Sequence, residues 1–174
     1  MLNIMKEELM LNLFTSARRL SLAASAMLLC FAAMPASAQD RYTISADGQE
    51  VTDNNSHLTW RRCAEGTRWL GNACVGKPTL LSYKDAKAWA MSEGKAGGWR
   101  LPTELELLTL VDKTKKKKPK TDVMAFPNTP NMPFWCLPPG AADELNGRMV
   151  NFGNGKVEPG LGERKVPVRL VKGQ

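Results

Sequence analysis

Histidine is nearly missing from this 174-residue chain: His57 stands alone. It follows the turn-forming Asn54-Asn55-Ser56 with no acid–base partner spaced around it, so it reads as solvent-exposed rather than as a general base. There is no glycine-rich phosphate loop, no metal-ligand spacing and no nucleophile beside a recognisable base. Asp53, Asn54 and Asn55 read as turn formers rather than calcium ligands. These absences favour a non-catalytic chain that needs neither cofactor nor metal. Beyond residue 38 the sequence also lacks an apolar run suited to a membrane span.

Such a run does occur earlier, and it is short. Arg18 and Arg19 precede the Ala- and Leu-rich stretch Leu20 to Met34, and Ala36-Ser37-Ala38 follows. Basic, apolar and small-residue regions in that order predict a signal peptide over residues 1–38, cleaved after Ala38. Leu29 before Cys30 speaks against a lipoprotein anchor, and Ser21 after the arginine pair against twin-arginine export. The expected location is periplasmic or secreted. Cleavage takes Lys6, Arg18 and Arg19 against Glu7 and Glu8, so the formal charge falls only from +7 to +6. Residues 39–174 have the length of a single domain.

Cysteine is scarce in that domain: Cys63, Cys74 and Cys136. Export permits disulfides. Cys63 and Cys74 bracket a short loop holding Gly66, Trp69 and Gly71. A zinc site would need more ligands than these two and His57, so a Cys63–Cys74 disulfide is expected. Cys136 is left over, either a buried thiol beside Phe134 and Trp135 or the point of pairing with a protein partner.

The domain is organised around Gly98-Trp99-Arg100-Leu101-Pro102-Thr103-Glu104-Leu105-Glu106-Leu107. Trp99 and Leu101 alternate with Arg100 as in a half-buried strand, and Pro102 stops it. Thr103 with Glu106 three residues on predicts a capping box. The helix that follows is expected to reach about Asp112, with Leu105, Leu108 and Val111 on one face and Leu107 and Leu110 beside them. An earlier helix is expected from the Ser82 N-cap to Gly94, with Tyr83, Ala86 and Ala90 on one face. Strands are expected at Tyr42-Thr43-Ile44, Glu50 to Asp53 and Leu58-Thr59-Trp60. A hairpin is expected across Gly153-Asn154-Gly155, and a last strand over Val166 to Val171 with Val166, Val168 and Leu170 facing one way.

Between these elements lies a tract too charged to bury: Lys113, Lys115, Lys116, Lys117, Lys118 and Lys120. It predicts an exposed, mobile loop whose positive potential attracts polyanions. The proline-broken stretch from Phe126 to Trp135 predicts a long structured loop. Trp135 is a candidate for stacking on a sugar, although it also fits a core position.

Taken in order, several landmarks resemble the bacterial Lcl C-terminal-like family, the C-terminal part of a collagen-like adhesin. They include Val51-Thr52-Asp53, Leu58-Thr59-Trp60, Arg62-Cys63, Trp99-Arg100-Leu101-Pro102-Thr103, Phe126-Pro127, Phe134-Trp135, Val150-Asn151-Phe152-Gly153 and Val168-Arg169-Leu170-Val171. The resemblance runs over roughly residues 45–172. It implies an α+β fold of C-type-lectin-like kind: two helices packed on mixed, mostly antiparallel strands, with the N- and C-terminal strands together. The lectin calcium motifs Glu-Pro-Asn and Trp-Asn-Asp are missing from this chain. The resemblance also implies export and an adhesin-like role, since the collagen-like adhesin binds sulfated polysaccharide. Cys136, where relatives usually carry Ser, and the lysine tract depart from the family pattern.

Three functions follow as expectations. The first is an exported binding module that takes anionic polysaccharide or another polyanion on the lysine loop. The second is an envelope-assembly or pilus-associated protein pairing through Cys136. The third is a thiol-dependent enzyme related to formylglycine-generating oxidases, which share the C-type-lectin-like fold.

Overall fold

The computed structural model describes residues 40–140, 146–160 and 163–173. The expected signal peptide, residues 1–38, and Gln39 after it lie outside the described residues. Strands β1 (Tyr42–Ile44), β2 (Glu50–Asp53) and β3 (Leu58–Arg61) form an antiparallel meander, and β9 (Val171–Lys172) joins its far side. Val51 pairs with Trp60, and Trp60 with Val171, so one face of this sheet carries a row of buried apolar side chains. The two ends of the domain therefore meet in one sheet.

Strands β4 (Thr67–Trp69) and β5 (Cys74–Gly76) form a separate hairpin that the sequence reading did not anticipate. The expected Cys63–Cys74 disulfide closes it, with the two α-carbons 5.6 Å apart. Reduction is expected to lower unfolding free energy by about 3 kcal/mol, the chain-entropy value for a loop of this order. Urea melts of oxidised and reduced protein measure it, and coincident melts would contradict it.

Helix α1 (Tyr83–Gly97) starts where Ser82 accepts the Asp85 N–H, at 3.2 Å. It buries Tyr83, Ala86 and Ala90. It does not stop at Gly94, as expected, but runs on to Gly97. The stop is Gly98, whose φ of 73° is left-handed and whose N–H bonds the Gly94 carbonyl at 2.8 Å. A mid-helix glycine weakens a helix, whereas a left-handed residue ends one.

The expected Trp99 strand contracts to a two-way backbone bridge between Arg100 and Val171, at 2.9 and 3.0 Å. Trp99 is buried, with the Arg61 guanidinium 4.3 Å and the Lys172 ammonium 4.5 Å from its ring centroid. Helix α2 (Glu104–Thr109) opens with the capping box: Thr103 accepts the Glu106 N–H, and Glu106 accepts the Thr103 N–H. Arg100 grips the same carboxylate at 2.7 and 2.8 Å, holding its pKa below the ordinary value. α2 is shorter than expected, and its buried side is Leu107 with Leu110 just beyond it; Leu105 is 70% exposed.

A third sheet comprises β6 (Pro133–Cys136), β7 (Arg148–Asn151) and β8 (Lys156–Pro159) in that order. β7 and β8 make the expected hairpin. The strand period of two lets β6 serve two cores. Phe134 and Cys136 enter a core with Val51, Trp60, Leu107, Phe126 and Phe152. Trp135 enters the other, with Tyr83, Trp99, Leu101 and Met149. The C-terminal segment divides in the same way. Val166, Val168 and Leu170 belong to the second core, and Val171 to the first.

Arg169 is also buried, over the Phe126 and Phe134 rings at 4.6 and 5.9 Å. It donates to the Arg62 carbonyl (3.0 Å) and the Thr129 hydroxyl (2.9 Å). Burial pushes its pKa down to about 9. Arg62 in turn donates to the Ala125 and Met124 carbonyls and stacks on Trp69 at 3.7 Å. Two guanidinium groups thus fasten the 122–129 loop to the first sheet and the hairpin. Asp40–Gln174 forms one compact unit. No helix among the described residues is long and apolar enough to cross a membrane.

Candidate functional site

The lysine tract leaves α2 and is closed at its base. The Asp112 N–H donates to the Lys120 carbonyl at 3.0 Å, and the Lys115 N–H to the Asp112 carbonyl at 3.3 Å. The Asp112 carboxylate accepts the Thr114 hydroxyl (2.6 Å) and N–H (2.9 Å), which hold its pKa below the ordinary value. The Lys120 N–H reaches the Phe152 carbonyl at 2.7 Å. A β-carbon on Gly155 would lie 3.1 Å from Val111 and 3.4 Å from the Lys120 side chain, so the β7–β8 turn sits tightly on the loop.

The six lysines therefore divide. Lys113, Lys116, Lys117 and Lys118 are exposed. Lys115 and Lys120 are half-buried, and the Lys120 ammonium donates to the Lys115 carbonyl at 2.8 Å. The expectation that all six lysines are exposed is thus corrected: Lys115 and Lys120 are half-buried, and four charges project from a loop hydrogen-bonded across its neck.

Beside the loop, Lys113 borders an open cleft of about 700 Å³ that also holds Arg41, Tyr42, Asp112 and Asp122. Arg41 is committed to Asp53 and to the Thr109 carbonyl, both at 2.8 Å. The Asp53 carboxylate accepts from that arginine. Among the described residues, no group of three or more His, Cys, Asp or Glu side chains is placed to hold a metal ion. The cleft mixes carboxylates with its cations, which leaves the exposed lysines of the loop as the candidate site for anions.

A family model of the Lcl C-terminal domain matches residues 49–172. The chain belongs to the Lcl C-terminal domain family. No curated protein and no solved structure matches it.

In this Lcl C-terminal domain two sequence-predicted site residues lie away from the loop surface. Trp135 is fully buried, its indole N–H donating to the Leu81 carbonyl at 2.7 Å and its ring 5.3 Å from that of Tyr83. It is a core residue and cannot stack on a sugar. Cys136 is fully buried too, and burial pushes its thiol pKa up to about 12. A nucleophilic or disulfide-forming cysteine works as an accessible thiolate. Pairing with a partner through Cys136 and thiol chemistry at Cys136 both conflict with this placement.

Proposed function

We propose that this Lcl C-terminal domain is an exported, adhesin-like binding module of C-type-lectin-like fold. It holds polyanions such as sulfated glycans on the loop of Lys113, Lys116, Lys117 and Lys118. One observation carries this reading: four exposed ammonium groups stand within six residues, on a loop fastened at its neck. Fastening keeps like charges together that would otherwise spread apart, and so sustains a local positive potential. Lysine offers a hydrated point charge without the planar fork of arginine, so the loop selects for charge density and not for one arrangement of sulfates. Screening over about 8 Å at physiological salt makes such binding strongly salt-dependent.

The test is retention on heparin of the wild type and of a variant with those four lysines changed to Ser. Lys115 and Lys120 are kept because of their packing at the loop base. The wild type is expected to elute from heparin at higher salt than from a simple cation exchanger, and the variant to lose that excess. Equal retention of the two proteins would leave the loop as a solubilising surface.

A further inference from the structure

Strand β1 is the edge of the first sheet, with β2 on one side and no strand on the other among the described residues. The Asn54 N–H donates to the Arg41 carbonyl at 2.8 Å and the Ser45 N–H to the Glu50 carbonyl at 3.0 Å, in a register that pairs Tyr42 with Asp53 and Ile44 with Val51. Antiparallel ladders alternate, so Arg41, Thr43 and Ser45 turn their backbone groups toward β2, and Tyr42 and Ile44 turn theirs outward. Both outward residues line the cleft of about 700 Å³ beside the lysine loop. Ile44 is 42% exposed, and Met124, which lines the same cleft, is 78% exposed. The carboxylates of Asp40, Asp112 and Asp122 line it too. That of Asp112 accepts from Thr114, and that of Asp122 from the Met124 and Ala125 N–H groups at 2.8 and 3.0 Å, neutral donors that leave both charges in place. Of the lining cations, Arg41 is held by Asp53, which leaves Lys113.

We propose that the β1 edge takes an extended basic peptide as an added strand. The peptide backbone pairs with the outward N–H and C=O groups of Tyr42 and Ile44, alternate apolar side chains pack on Ile44 and Met124, and basic side chains meet Asp40, Asp112 and Asp122. An unguarded edge is a template for another strand, and edges are commonly guarded by lysine or proline; β1 carries neither. Charge selects the occupant: three carboxylates against one uncommitted ammonium repel a polyanion and attract a basic segment. Backbone pairing selects a peptide over a small cation such as a polyamine, which has no strand to offer. A second copy would offer β1 itself, Tyr42-Thr43-Ile44, which has no basic side chain. The edge stands apart from polyanion binding by the loop: Lys113 is common to both, and it opposes the basic peptide.

The test measures fluorescence anisotropy of a labelled peptide of alternating lysine and valine with the purified chain. Two isomers carry backbone N-methyl groups, one on every lysine nitrogen and the other on every valine nitrogen. They are equal in composition and charge, but in an extended strand they block opposite edges. One isomer is expected to bind like the unmethylated peptide and the other about tenfold more weakly, the effect of losing backbone bonds to the β1 edge. Ile44→Pro removes an outward N–H while sparing the β2 ladder, and is expected to lose a similar factor. Ile44→Val is expected to bind like the wild type; circular dichroism verifies both folds. Asp40→Asn combined with Asp122→Asn is expected to weaken binding, and a glutamate–valine peptide to bind no better than background. The four-lysine loop variant is expected to hold the basic peptide at least as tightly as the wild type, whatever its heparin retention. Equal affinity of the two N-methyl isomers would overturn the proposal, because a site for cations alone would treat them alike. So would indifference to Ile44→Pro, equal binding of the glutamate–valine peptide, or loss of peptide binding in the loop variant. Dimerisation of the wild type that Ile44→Pro abolishes would also overturn it, by assigning the edge to a second copy.

Discussion

Replacing Trp135 with alanine is expected to lower the unfolding free energy by about 3–5 kcal/mol. The indole is fully enclosed in the second core, between α1 and the C-terminal segment, and its N–H satisfies the Leu81 carbonyl. Alanine would leave a cavity and remove one of the two hydrogen bonds to the Leu81 carbonyl, which keeps the Val166 N–H at 3.0 Å. Urea unfolding of wild type and variant measures the change. Because Trp135 is core, heparin retention of the variant that remains folded should match the wild type. A variant with near-normal stability and reduced retention would restore Trp135 to the binding surface.

Leu170→Ala is expected to cost about 2–5 kcal/mol. Leu170 is fully buried, and its carbonyl accepts the Arg61 N–H at 3.0 Å, so it secures the C-terminal segment against β3. The spread in magnitude reflects how far Trp99, Leu101 and Val168 can close over the gap. An unfolding midpoint indistinguishable from wild type would contradict the placement of this segment between the two cores.

Local chemistry was legible in the sequence where it depends on neighbours along the chain. Thr103 and Glu106 announce a capping box because the two bonds span three residues. Cys63 and Cys74 lie close enough in sequence to suggest their bond, and Asn154-Gly155 marks the β7–β8 turn. What escaped depends on partners far along the chain. The alternation of Val166, Val168 and Leu170 identifies one buried face, but it cannot say that Phe126 and Phe134 cover the other and bury Arg169 with it. The β4–β5 hairpin has an exposed Arg68 and Val75 and gives little apolar alternation to read. Leu105 joined the expected helical stripe yet stands exposed, whereas Leu107 is buried and Leu108 and Val111 pack partly buried against the first core.

The candidate site was legible as composition and not as geometry. Six lysines in a short tract announce an exposed charge. That Lys120 turns back onto the Lys115 carbonyl, and docks on Phe152, follows from the position of the β7–β8 turn. Trp135 was ambiguous because an aromatic beside prolines suits a loop surface as well as a core strand. Only the pairing of β6 with β7 decides it.

The most direct measurement of the central claim is the salt dependence of heparin affinity, for the wild type and for the variant with Lys113, Lys116, Lys117 and Lys118 changed to Ser. Four ammonium groups displacing counterions from a linear polyanion give a slope of log affinity against log salt of roughly −3, by analogy with nucleic acids. The account predicts that slope for the wild type, and affinity lost or a slope near zero for the variant, with both proteins unfolding alike. Superimposable affinities and slopes for the two proteins would contradict it.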